Sequence, residues 1–462
     1  MIKKPLELGG DIWNLFKTIN YKSLPAFLLD SSLYDEQAGR YSFMGWEPRA
    51  VFRSRGRFIE YQENGKWYSW EGDPLKELER VRKEASAKIG AYDYPFPFCG
   101  GLVGYISYDM GKNIVELKVK CHDDLQMYDQ YWGWYDAIVV ADHHNNQNWV
   151  VSHDDRNAKQ LEEKIYQVMK NTTIKKDIPI WMGEISSNFT HHEYLDAIGQ
   201  VKEYLRTGDI YQANLSQRFS FDFRGSSQDL YEIMRRINPA PFGAYLHFNE
   251  FDVLSMSPER FIKIRGGNIE TRPIKGTRAR GKNEEEDNLL DKELQQSEKD
   301  RAELLMIVDL ERNDLGRICQ TGSIRVEDLF KITRYSSVLH MDARVHGILK
   351  QGIGIDEVLR CTFPGGSITG APKIKAMNII EELEPTARGV YTGSIGYIDS
   401  QGNCDLNIAI RTVVVKNNRA YYQAGGGVVS DSDPELEYEE TLAKTAVLFL
   451  AQKEVKRIAD NK

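Results

Sequence analysis

The fold assignment starts from one short stretch, Arg272-Pro273-Ile274-Lys275-Gly276-Thr277-Arg278. It places a lysine inside a turn bounded by proline and glycine, where a lysine that only hydrates the surface has little reason to be. Taken alone, the segment also fits a basic surface loop, because several further cations lie beside the lysine. The competing hypothesis is that Lys275 is a nucleophile and that the neighbouring arginines are ordinary surface charge.

The bulk properties of the chain point to a folded protein with a small-molecule substrate. A length of 462 residues favours about two or three domains, or one large interleaved domain. Hydrophobic residues make up 41% and charged residues 28% of the chain, which is typical of a folded protein. The formal net charge of −8 disfavours nucleic-acid binding, because phosphate contacts require a basic surface.

The cysteines, histidines and apolar segments exclude several other classes. The five cysteines are scattered and never form a C-x-x-C pair, so we expect neither a disulfide framework nor a thiolate zinc site. The adjacent histidine pairs 143–144 and 191–192 do not favour a metal site, because neighbouring residues point to different sides of a regular element. The N-terminus carries no apolar signal region, and no run approaches the ~20 apolar residues of a membrane helix. We therefore expect a cytoplasmic protein.

Composition along the chain suggests two regions, 1–175 and 180–455. Short β-type runs separated by Asn, Asp and Gly dominate the first region, which predicts antiparallel sheet. The polar segment 171–180 marks the expected boundary. Apolar spacing predicts helices over 158–169, 194–206, 297–315 and 374–383, and strands over 243–247 and 411–415. The segment 399–403 is typical of a hairpin turn.

An acidic residue faces the apolar stripe of the helix predicted over 297–315. Glu303 precedes Met306, Ile307 and Leu310 by three, four and seven positions, so its side chain is expected to point inward. A buried carboxylate requires a cation or several hydrogen-bond donors. The pattern on this helix alone favours a salt bridge over a metal ion.

A second acidic cluster lies near the C-terminus, where residues 431–434 are typical of a helix start. Glu437, Glu440 and Lys444 follow on one face, and a surface pair between Glu440 and Lys444 is the simplest interpretation. Upstream, the glycines at 425–427 are expected to break a strand and to let backbone amides approach an anion. Amides for a substrate carboxylate beside carboxylates for a hard cation form a coherent site, with Mg²⁺ as the expected ion.

The segment Pro364-Gly365-Gly366-Ser367-Ile368-Thr369-Gly370-Ala371-Pro372-Lys373 is a glycine loop that runs into a helix. Helix N-termini attract anions, and Pro372 suits a first helical turn. Thr369 is a candidate for the helix cap, a role that does not exclude contact with a ligand carboxylate.

Together these stretches resemble the chorismate-binding enzymes, which include the first components of anthranilate and aminodeoxychorismate synthases and, more distantly, the isochorismate and salicylate synthases. Further matching stretches are Ile210-Tyr211-Gln212-Ala213-Asn214-Leu215-Ser216, Lys299-Asp300-Arg301-Ala302-Glu303 and Val308-Asp309-Leu310-Glu311-Arg312-Asn313-Asp314. The resemblance covers residues 180–450 and is weaker before them. It implies an α+β fold of two facing antiparallel sheets flanked by helices, with the two regions interleaved.

The resemblance also implies roles for individual residues. Glu303 and Glu440, with Glu437 beside them, match the carboxylates that hold Mg²⁺ and through it the ring carboxylate of chorismate. Arg411 suits the enolpyruvyl carboxylate because its guanidinium is a planar fork. The implied substrate-binding positions are Gly276, Thr277, His340, Thr369, Tyr391, Arg411, Gly425, Gly426, Gly427 and Lys444.

Two positions indicate the branch of the family. The isochorismate and salicylate synthases carry a general-base lysine where this chain has Gln212, and anthranilate synthases usually carry alanine where it has Lys275. The resemblance therefore favours amination of chorismate at C4 through a covalent Lys275 adduct at C2, with Glu259 as the acid. Anthranilate synthase component I is the alternative, and a non-catalytic binding subunit is a third reading.

The resemblance further implies a partner and a second pocket. No cysteine lies in a G-x-C-x-G context, so ammonia is expected from a separate glutaminase subunit in a heterodimer. No lyase-like segment follows, so the product should keep its pyruvyl group. The family's tryptophan-binding part is matched by Ser31, Arg40, Tyr41, Ser42, Phe43, Pro241, Phe242 and Gly243. Feedback inhibition is one reading of this pocket, and a structural or absent ligand is the other.

Overall fold

The computed structural model describes residues 1–8, 11–19, 25–35, 38–87, 89, 95–170, 180–335 and 338–460. Most of the boundary expected over 171–180 lies outside these residues. No described helix is both long enough and apolar enough to cross a bilayer.

The strands of the described residues are numbered in chain order. They are β1 Ile2–Pro5, β2 Ala26–Asp30, β3 Tyr41–Trp46, β4 Ala50–Arg55, β5 Phe58–Glu63, β6 Lys66–Glu71, β7 Gly101–Ile106, β8 Gln130–Tyr135, β9 Ala137–Asp142, β10 Gln147–Ser152, β11 Trp181–Met182, β12 Ser186–Ser187, β13 Gln212–Arg224, β14 Phe242–Phe248, β15 Phe251–Ser257, β16 Arg260–Arg265, β17 Asn268–Arg272, β18 Ile274–Ala279, β19 Arg325–Arg334, β20 Val338–Ile348, β21 Gly370–Ala371, β22 Ser394–Asp399, β23 Cys404–Asn407, β24 Thr412–Lys416 and β25 Arg419–Val428.

The helices of the described residues are numbered in the same way. They are α1 Ile12–Thr18, α2 Pro74–Ala87, α3 Gly111–Ile114, α4 Asp155–Lys170, α5 His191–Arg206, α6 Ser227–Ile237, α7 Glu284–Gln296, α8 Glu298–Ile318, α9 Ile355–Thr362, α10 Lys373–Leu383 and α11 Pro434–Asp460. Two 3₁₀ turns add Tyr108–Met110 and Gly366–Ile368.

Two large sheets with antiparallel pairing between their named strands form the frame. The first has the order β1-β10-β9-β3-β2-β14-β15-β24-β25-β13-β11, with β12 and β21 also paired to β13. The second has the order β18-β20-β17-β16-β23-β22-β7-β8-β4-β5-β6, with β19 paired to β20. Each sheet joins a block of strands from before residue 175 to a block from after it, at the pairs β2–β14 and β22–β7, so neither region forms either sheet alone.

Burial explains why the sheets face each other. Phe27 and Val140 of the first sheet pack with Val103 and Tyr397 of the second in one apolar core. A second core joins the other face of the first sheet to α1, α4, α6 and α11. A third joins the second sheet to α2, α8 and α9. The expected α+β fold of two facing antiparallel sheets flanked by helices is confirmed.

Local signals explain the helix ends. The helix expected over 297–315 runs from Glu298 to Ile318, and the Ser297 side chain caps it by accepting the Asp300 N–H. The helix expected from residue 194 begins at His191, because Thr190 and Glu193 form a reciprocal capping box. Such caps depend on residues just outside the apolar repeat, which is why periodicity misplaced these ends.

Candidate active site

The chain passes from one sheet to the other directly before the candidate acid. Strand β15 belongs to the first sheet and β16 to the second, and Glu259 lies in the short connection between them. Its side chain is buried, with 5% exposure. The loop carrying Glu259 is held where the Ser257 hydroxyl donates to the Ile408 carbonyl at 2.6 Å. The carboxyl group is therefore fixed at the junction of the two sheets.

The environment of Glu259 suits a general acid. Burial raises the pKa of Glu259 to about 7, although the Ser367 hydroxyl, the charge of Lys275 and the Ile274 N–H all favour the ionised form. A carboxyl with a pKa near neutrality is protonated in a large fraction of molecules at physiological pH. It can therefore donate a proton and later take one back.

The prediction that Lys275 lies in a turn is wrong, because it lies on strand β18, opposite Met341 of β20, and the strand bulges at the next residue. Gly276 forms this bulge with φ +72°, and a side chain there would come within 2.7 Å of the Leu294 Cδ1 atom and 2.9 Å of the Asp300 Cγ atom. The position therefore requires glycine for both its backbone conformation and its space.

The amine of Lys275 points toward the glycine loop and not into solvent. Its Nζ donates to the Ser367 carbonyl at 3.4 Å. Because the Ser367 hydroxyl also donates to Glu259, one residue contacts both the amine and the acid. Burial raises the pKa of Glu303, and the charge of Lys275 partly offsets that rise. The lysine thus stands among the candidate acids.

The prediction that the neighbouring arginines are surface charge is wrong for Arg272. Its side chain is only 12% exposed and forms a salt bridge with buried Asp342 at 3.0 Å. Arg278 pairs with Asp300 and Arg280 with Asp287, and both are about one third exposed. Arg272 therefore supports the second sheet from inside.

The glycines at 425–427 do not break a strand, contrary to the sequence prediction. They lie within β25, with Gly427 opposite Asn214 on β13. Because these glycines have no side chains, neighbouring side chains can approach the strand closely. A Cβ at Gly427 would meet the Gln212 Nε2 atom at 1.9 Å, and one at Gly426 would lie 3.0 Å from the Glu437 Oε2 atom. The strand is continuous because flanking pairings hold it, and its surface stays open for a ligand.

Two candidate magnesium ligands lie together over this strand. A Cβ built at Gly426 would lie 3.0 Å from a Glu437 oxygen and 3.3 Å from a Glu440 oxygen, both on α11. One Glu437 oxygen accepts the Ser432 hydroxyl at 2.6 Å, while the other is buried and has no partner among the described residues. An orphaned carboxylate oxygen suits a hard cation.

The electrostatics of these carboxylates differ. Burial raises the pKa of Glu437, and the negative charge of Glu440 adds to the rise. Burial also acts to raise the pKa of Glu440, but the ammonium of Lys444 outweighs it and the pKa is lowered. Among the described residues, no group of three or more His, Cys, Asp or Glu side chains is already arranged to hold a metal ion. The expected pair between Glu440 and Lys444 is present at 2.6 Å.

His340 and Arg411 offer further polar contacts. The His340 Nδ1 atom lies 2.8 Å from the Thr277 hydroxyl, and its Nε2 is buried without a partner among the described residues. Burial, followed by the charge of Arg411, lowers the pKa of His340 to about 3, so the ring is neutral. Arg411 donates to the Asn238 amide oxygen at 3.0 Å and has no carboxylate partner in the described part of the chain. An unpaired, half-buried guanidinium is suited to a ligand carboxylate.

Of the remaining candidate positions, Thr369 and Tyr391 are buried and Lys444 is exposed. Thr369 does not cap α10, because Pro372 occupies the N-cap, and its hydroxyl donates to the Gly365 carbonyl instead. Burial raises the pKa of Tyr391, which keeps the phenol neutral. Lys444 donates to the Gly425 carbonyl at 2.8 Å, so it contacts the glycine strand as well as Glu440.

The residues of the second expected pocket also converge. The Ser31 hydroxyl donates to the carbonyls of Tyr41 and Pro241 at 2.7 and 3.1 Å, and its N–H donates to the Ser42 hydroxyl. Gly243 pairs with Asp30 on the neighbouring strand. Arg40 forms a salt bridge with Asp142, and Phe43 packs in the core between the sheets. Binding of tryptophan there stays a prediction.

The family model described as chorismate binding enzyme matches residues 29–449. The chain belongs to this family. As a chorismate-binding enzyme it acts on chorismate, which agrees with an acid, an amine and an unpaired guanidinium at one place.

Individual relatives carry two different names at similar identity. The chain is 40% identical to anthranilate synthase component 1 of Aquifex aeolicus over 457 residues, covering 95% of this chain and 91% of the relative. It is 38% identical to aminodeoxychorismate synthase component 1 of Bacillus subtilis over 437 residues, covering 92% of each. Overall similarity therefore identifies the family but does not distinguish between the two reaction products.

Solved structures agree with the fold. Anthranilate synthase component I of Streptococcus pneumoniae superposes with a TM-score of 0.76 at 31% identity, covering 89% of this chain and 92% of that one. The menaquinone-specific isochorismate synthase of Escherichia coli superposes with a TM-score of 0.72 at 17% identity, covering 98% of this chain and 94% of that one. The second likeness shows the fold alone.

Sequence reasoning missed residues that support the site from behind. Ser367 was part of the glycine loop but had no assigned role, although it contacts both Lys275 and Glu259. Glu311 is buried beneath the same loop, and the sequence analysis gave it no role beyond its place in the matching stretch 308–314. Only proximity to the glycine loop could have indicated either residue.

Proposed function

We propose that this chain is aminodeoxychorismate synthase component I, which makes 4-amino-4-deoxychorismate from chorismate and ammonia for p-aminobenzoate and folate biosynthesis. The observation that carries the proposal is the pairing of Lys275 with Glu259 through Ser367. An amine and an acid held together can exchange one substituent of the substrate ring in two steps.

The first step attaches the enzyme to the ring. The neutral amine of Lys275 attacks C2 of chorismate, the ring double bonds shift, and the C4–oxygen bond breaks. Glu259 gives its proton to the departing hydroxyl, which leaves as water. Transfer of one proton from Lys275 to Glu259 beforehand produces both reactive forms at once.

The second step releases the enzyme. Ammonia attacks C4, the double bonds shift back, and the C2–nitrogen bond breaks, so that Lys275 leaves as a neutral amine. The carboxylate of Glu259 takes a proton from the new ammonium group. Each turnover thus consumes chorismate and ammonia, forms the 4-amino product and water, and returns both side chains to their starting forms.

Charged and polar groups orient the substrate in this proposal. Arg411 binds the enolpyruvyl carboxylate, and His340 stays neutral beside it because burial and the Arg411 charge lower its pKa. Amides of the strand at 425–427 approach the ring carboxylate. Glu303, Glu437 and Glu440 would hold Mg²⁺, which when bound neutralises that carboxylate.

Ammonia requires a source outside this chain. Burial raises the pKa of Cys99, Cys121, Cys319, Cys361 and Cys404, so none supplies the thiolate that glutamine hydrolysis requires. We therefore propose a glutaminase subunit as partner, with free ammonium as a substitute. The names of the relatives, which are first components, are consistent with a second component.

Anthranilate synthase component I is the second candidate, favoured by the 40% identity to the Aquifex aeolicus protein. The two differ in the carbon that receives nitrogen. The purified chain should be incubated with chorismate, Mg²⁺ and ammonium, and the products separated by chromatography. A 4-amino product that keeps its pyruvyl group supports the proposal, whereas anthranilate or a 2-amino product rejects it.

The covalent step has its own test. Intact-protein mass spectrometry during turnover should show a chorismate-derived adduct, and peptide mapping should place it on Lys275. A protein that stays unmodified under conditions where the Lys275→Ala variant also forms the 4-amino product at the full rate would refute the covalent route.

A further inference from the structure

A buried carboxyl group with no role in the reaction described above lies beneath the glycine loop. Glu311 on α8 is 3% exposed, and its Oε1 accepts the Gly366 N–H at 3.2 Å. The contact is close, because a Cβ at Gly366 would lie 2.6 Å from the Leu310 Cδ2 atom and 3.2 Å from the Glu311 oxygen. Helix α8 therefore packs directly against the glycine loop at Gly366.

The groups that face Glu311 do not neutralise it. Asp314, one turn further along α8, adds negative charge, and the nearest cation, Lys373, is bonded to Asp314 at 2.5 Å and to the Thr362 carbonyl at 2.9 Å. Burial, followed by the charge of Asp314, raises the pKa of Glu311, and the charge of Glu259 adds to the rise. A buried carboxyl without its own cation costs stability, so its presence calls for a compensating role.

The loop residue next to Gly366 is the one that contacts both reacting groups. Ser367 donates its hydroxyl to Glu259 and accepts the Lys275 amine at its carbonyl. Both contacts depend on the backbone orientation at 366–368, where the chain forms a 3₁₀ turn. At the start of this turn the Gly366 N–H donates to Glu311, and the Thr369 hydroxyl donates to the Gly365 carbonyl.

We propose that Glu311 is a positioning residue that orients Ser367, and through it Glu259 and Lys275, for the reaction. This inference rests on the proposed use of Glu259 as the acid. Glu311 touches neither substrate nor the reacting atoms. Its function is the acceptance of one backbone hydrogen bond at a buried position, where water cannot replace it.

The role predicts a specific change in the acid. Glu259 faces the Ser367 hydroxyl, Lys275, the Ile274 N–H and Lys444, which all favour its ionised form, and it also interacts with the carboxyl of Glu311, which disfavours ionisation. Loss of the Ser367 hydroxyl contact removes one of the groups that favour ionisation, so the pKa of Glu259 rises. Activity that requires protonated Glu259 should then persist to higher pH.

The test compares two substitutions that both remove the ionisable group, so the electrostatic interaction of Glu311 with Glu259 is lost equally in both. In Glu311→Gln the amide oxygen still accepts the Gly366 N–H, whereas Glu311→Leu fills the volume and accepts nothing. We expect the Leu variant to lose about tenfold in kcat with little change in KM for chorismate. The alkaline limb of its pH–rate profile should move to higher pH by about half to one pH unit. In the Gln variant, both kcat and the position of the alkaline limb should be closer to those of the wild type.

A double-mutant cycle separates positioning from general support. Ser367→Ala should shift the alkaline limb in the same direction, and Ser367→Ala combined with Glu311→Leu should shift it no further. Asp309→Asn is the control, because Asp309 lies on the same helix and is 77% exposed. Additive shifts, or a Gln variant as slow as the Leu variant, would overturn the proposal.

Two further measures make the outcome decisive. If Glu311→Leu does not fold, Glu311→Met provides a similar volume with an unbranched chain. Difference infrared spectroscopy against matched Glu259→Gln partners reports the protonation of Glu259 without turnover. A chain that does not turn over chorismate at all would reject the proposed function, while an infrared pKa unchanged in the Leu variant would reject the positioning role.

Discussion

Lys275 and Glu259 owe their proposed reactivity to neighbours that are distant in sequence. Ser367 lies more than 90 residues beyond both, yet it contacts the amine and the acid. Burial at the junction between the sheets, and not a nearby anion, accounts for the raised pKa of Glu259. At the scale of single residues the site is therefore a desolvated acid beside a held amine.

Replacement of the lysine should change the position of amination. In Lys275→Ala the C2 adduct cannot form, so 4-amination should fall by about a thousandfold, and any residual nitrogen transfer should occur at C2. Chromatography of products from chorismate, Mg²⁺ and ammonium measures both effects. Lys282→Ala, in the same segment but exposed, is the matched control and should keep the 4-amino product. Full 4-amination by the Lys275 variant would contradict the prediction.

The buried acid should also affect stability in a pH-dependent way. The pKa of Glu259 is about 7 in the folded chain and near 4.5 when unfolded, so ionisation disfavours the folded state. Relative to Glu259→Gln, the wild type should lose up to about 3 kcal/mol of unfolding free energy as pH rises from 4.5 to 7. Above that range the difference stays constant. Urea unfolding of both proteins at several pH values measures this difference in unfolding free energy. A difference that does not change with pH would exclude ionisation of Glu259 as its cause.

At the scale of elements, glycine positions decide how strands approach their neighbours. Strand β25 is continuous through residues 425–427, where any side chain would meet β13 or the carboxylates of α11. Strand β18 bulges at Gly276 because Leu294 and Asp300 lie against it. These glycines serve close packing as much as backbone freedom.

The bulge at Gly276 can be tested against a matched glycine. Gly276→Ala and Gly267→Ala both introduce a side chain at positive φ, at +72° and +80°. Nothing lies within 4 Å of a Cβ at Gly267, whereas Gly276 is crowded. We expect Gly276→Ala to lower the unfolding free energy by about 1–3 kcal/mol more than Gly267→Ala. Equal effects in urea titrations would show that Leu294 and Asp300 move aside freely.

At the scale of the whole molecule, the site is built where the two sheets and two long helices meet. Lys275 comes from the second sheet, the glycines at 425–427 from the first, and Glu259 from the connection between them. Helices α8 and α11 bring Glu303 and Glu440 together from distant parts of the chain. No single segment of the chain contains all of these site residues.

Magnesium dependence should follow from this assembly. Chelation should abolish turnover of chorismate, and added Mg²⁺ should restore it. Glu440→Gln should raise the Mg²⁺ concentration for half-maximal activity by about tenfold or more, with little change in unfolding free energy. Glu439→Gln, one position away and exposed, is the control. A Glu440 variant with wild-type Mg²⁺ dependence would remove this residue from the metal site.

The nitrogen source gives a second prediction at this scale. The purified chain should aminate chorismate with ammonium and not with glutamine, because burial raises the pKa of every cysteine thiol. A glutaminase subunit should restore the use of glutamine. The assay includes an ammonium-scavenging enzyme, so amination by the chain alone with glutamine under these conditions would contradict the expectation.

The chemistry-bearing residue types and the family were readable from local sequence. The inward stripe of Glu303 and the series from Glu437 to Lys444 follow from short-range spacing, whereas the turn predicted around Lys275 is a strand in the structure. The approximate positions of the helices follow for the same reason, since caps and apolar repeats lie close together in the chain.

Only the tertiary structure showed which of these residues share an environment. The burial of Glu259, the salt bridge of Arg272, the continuous strand at 425–427 and the contact of Glu311 with the glycine loop all join distant segments. Desolvation and close approach depend on what packs around a residue in space. Local sequence carries no direct record of those neighbours, because both sheets combine strands from the two halves of the chain.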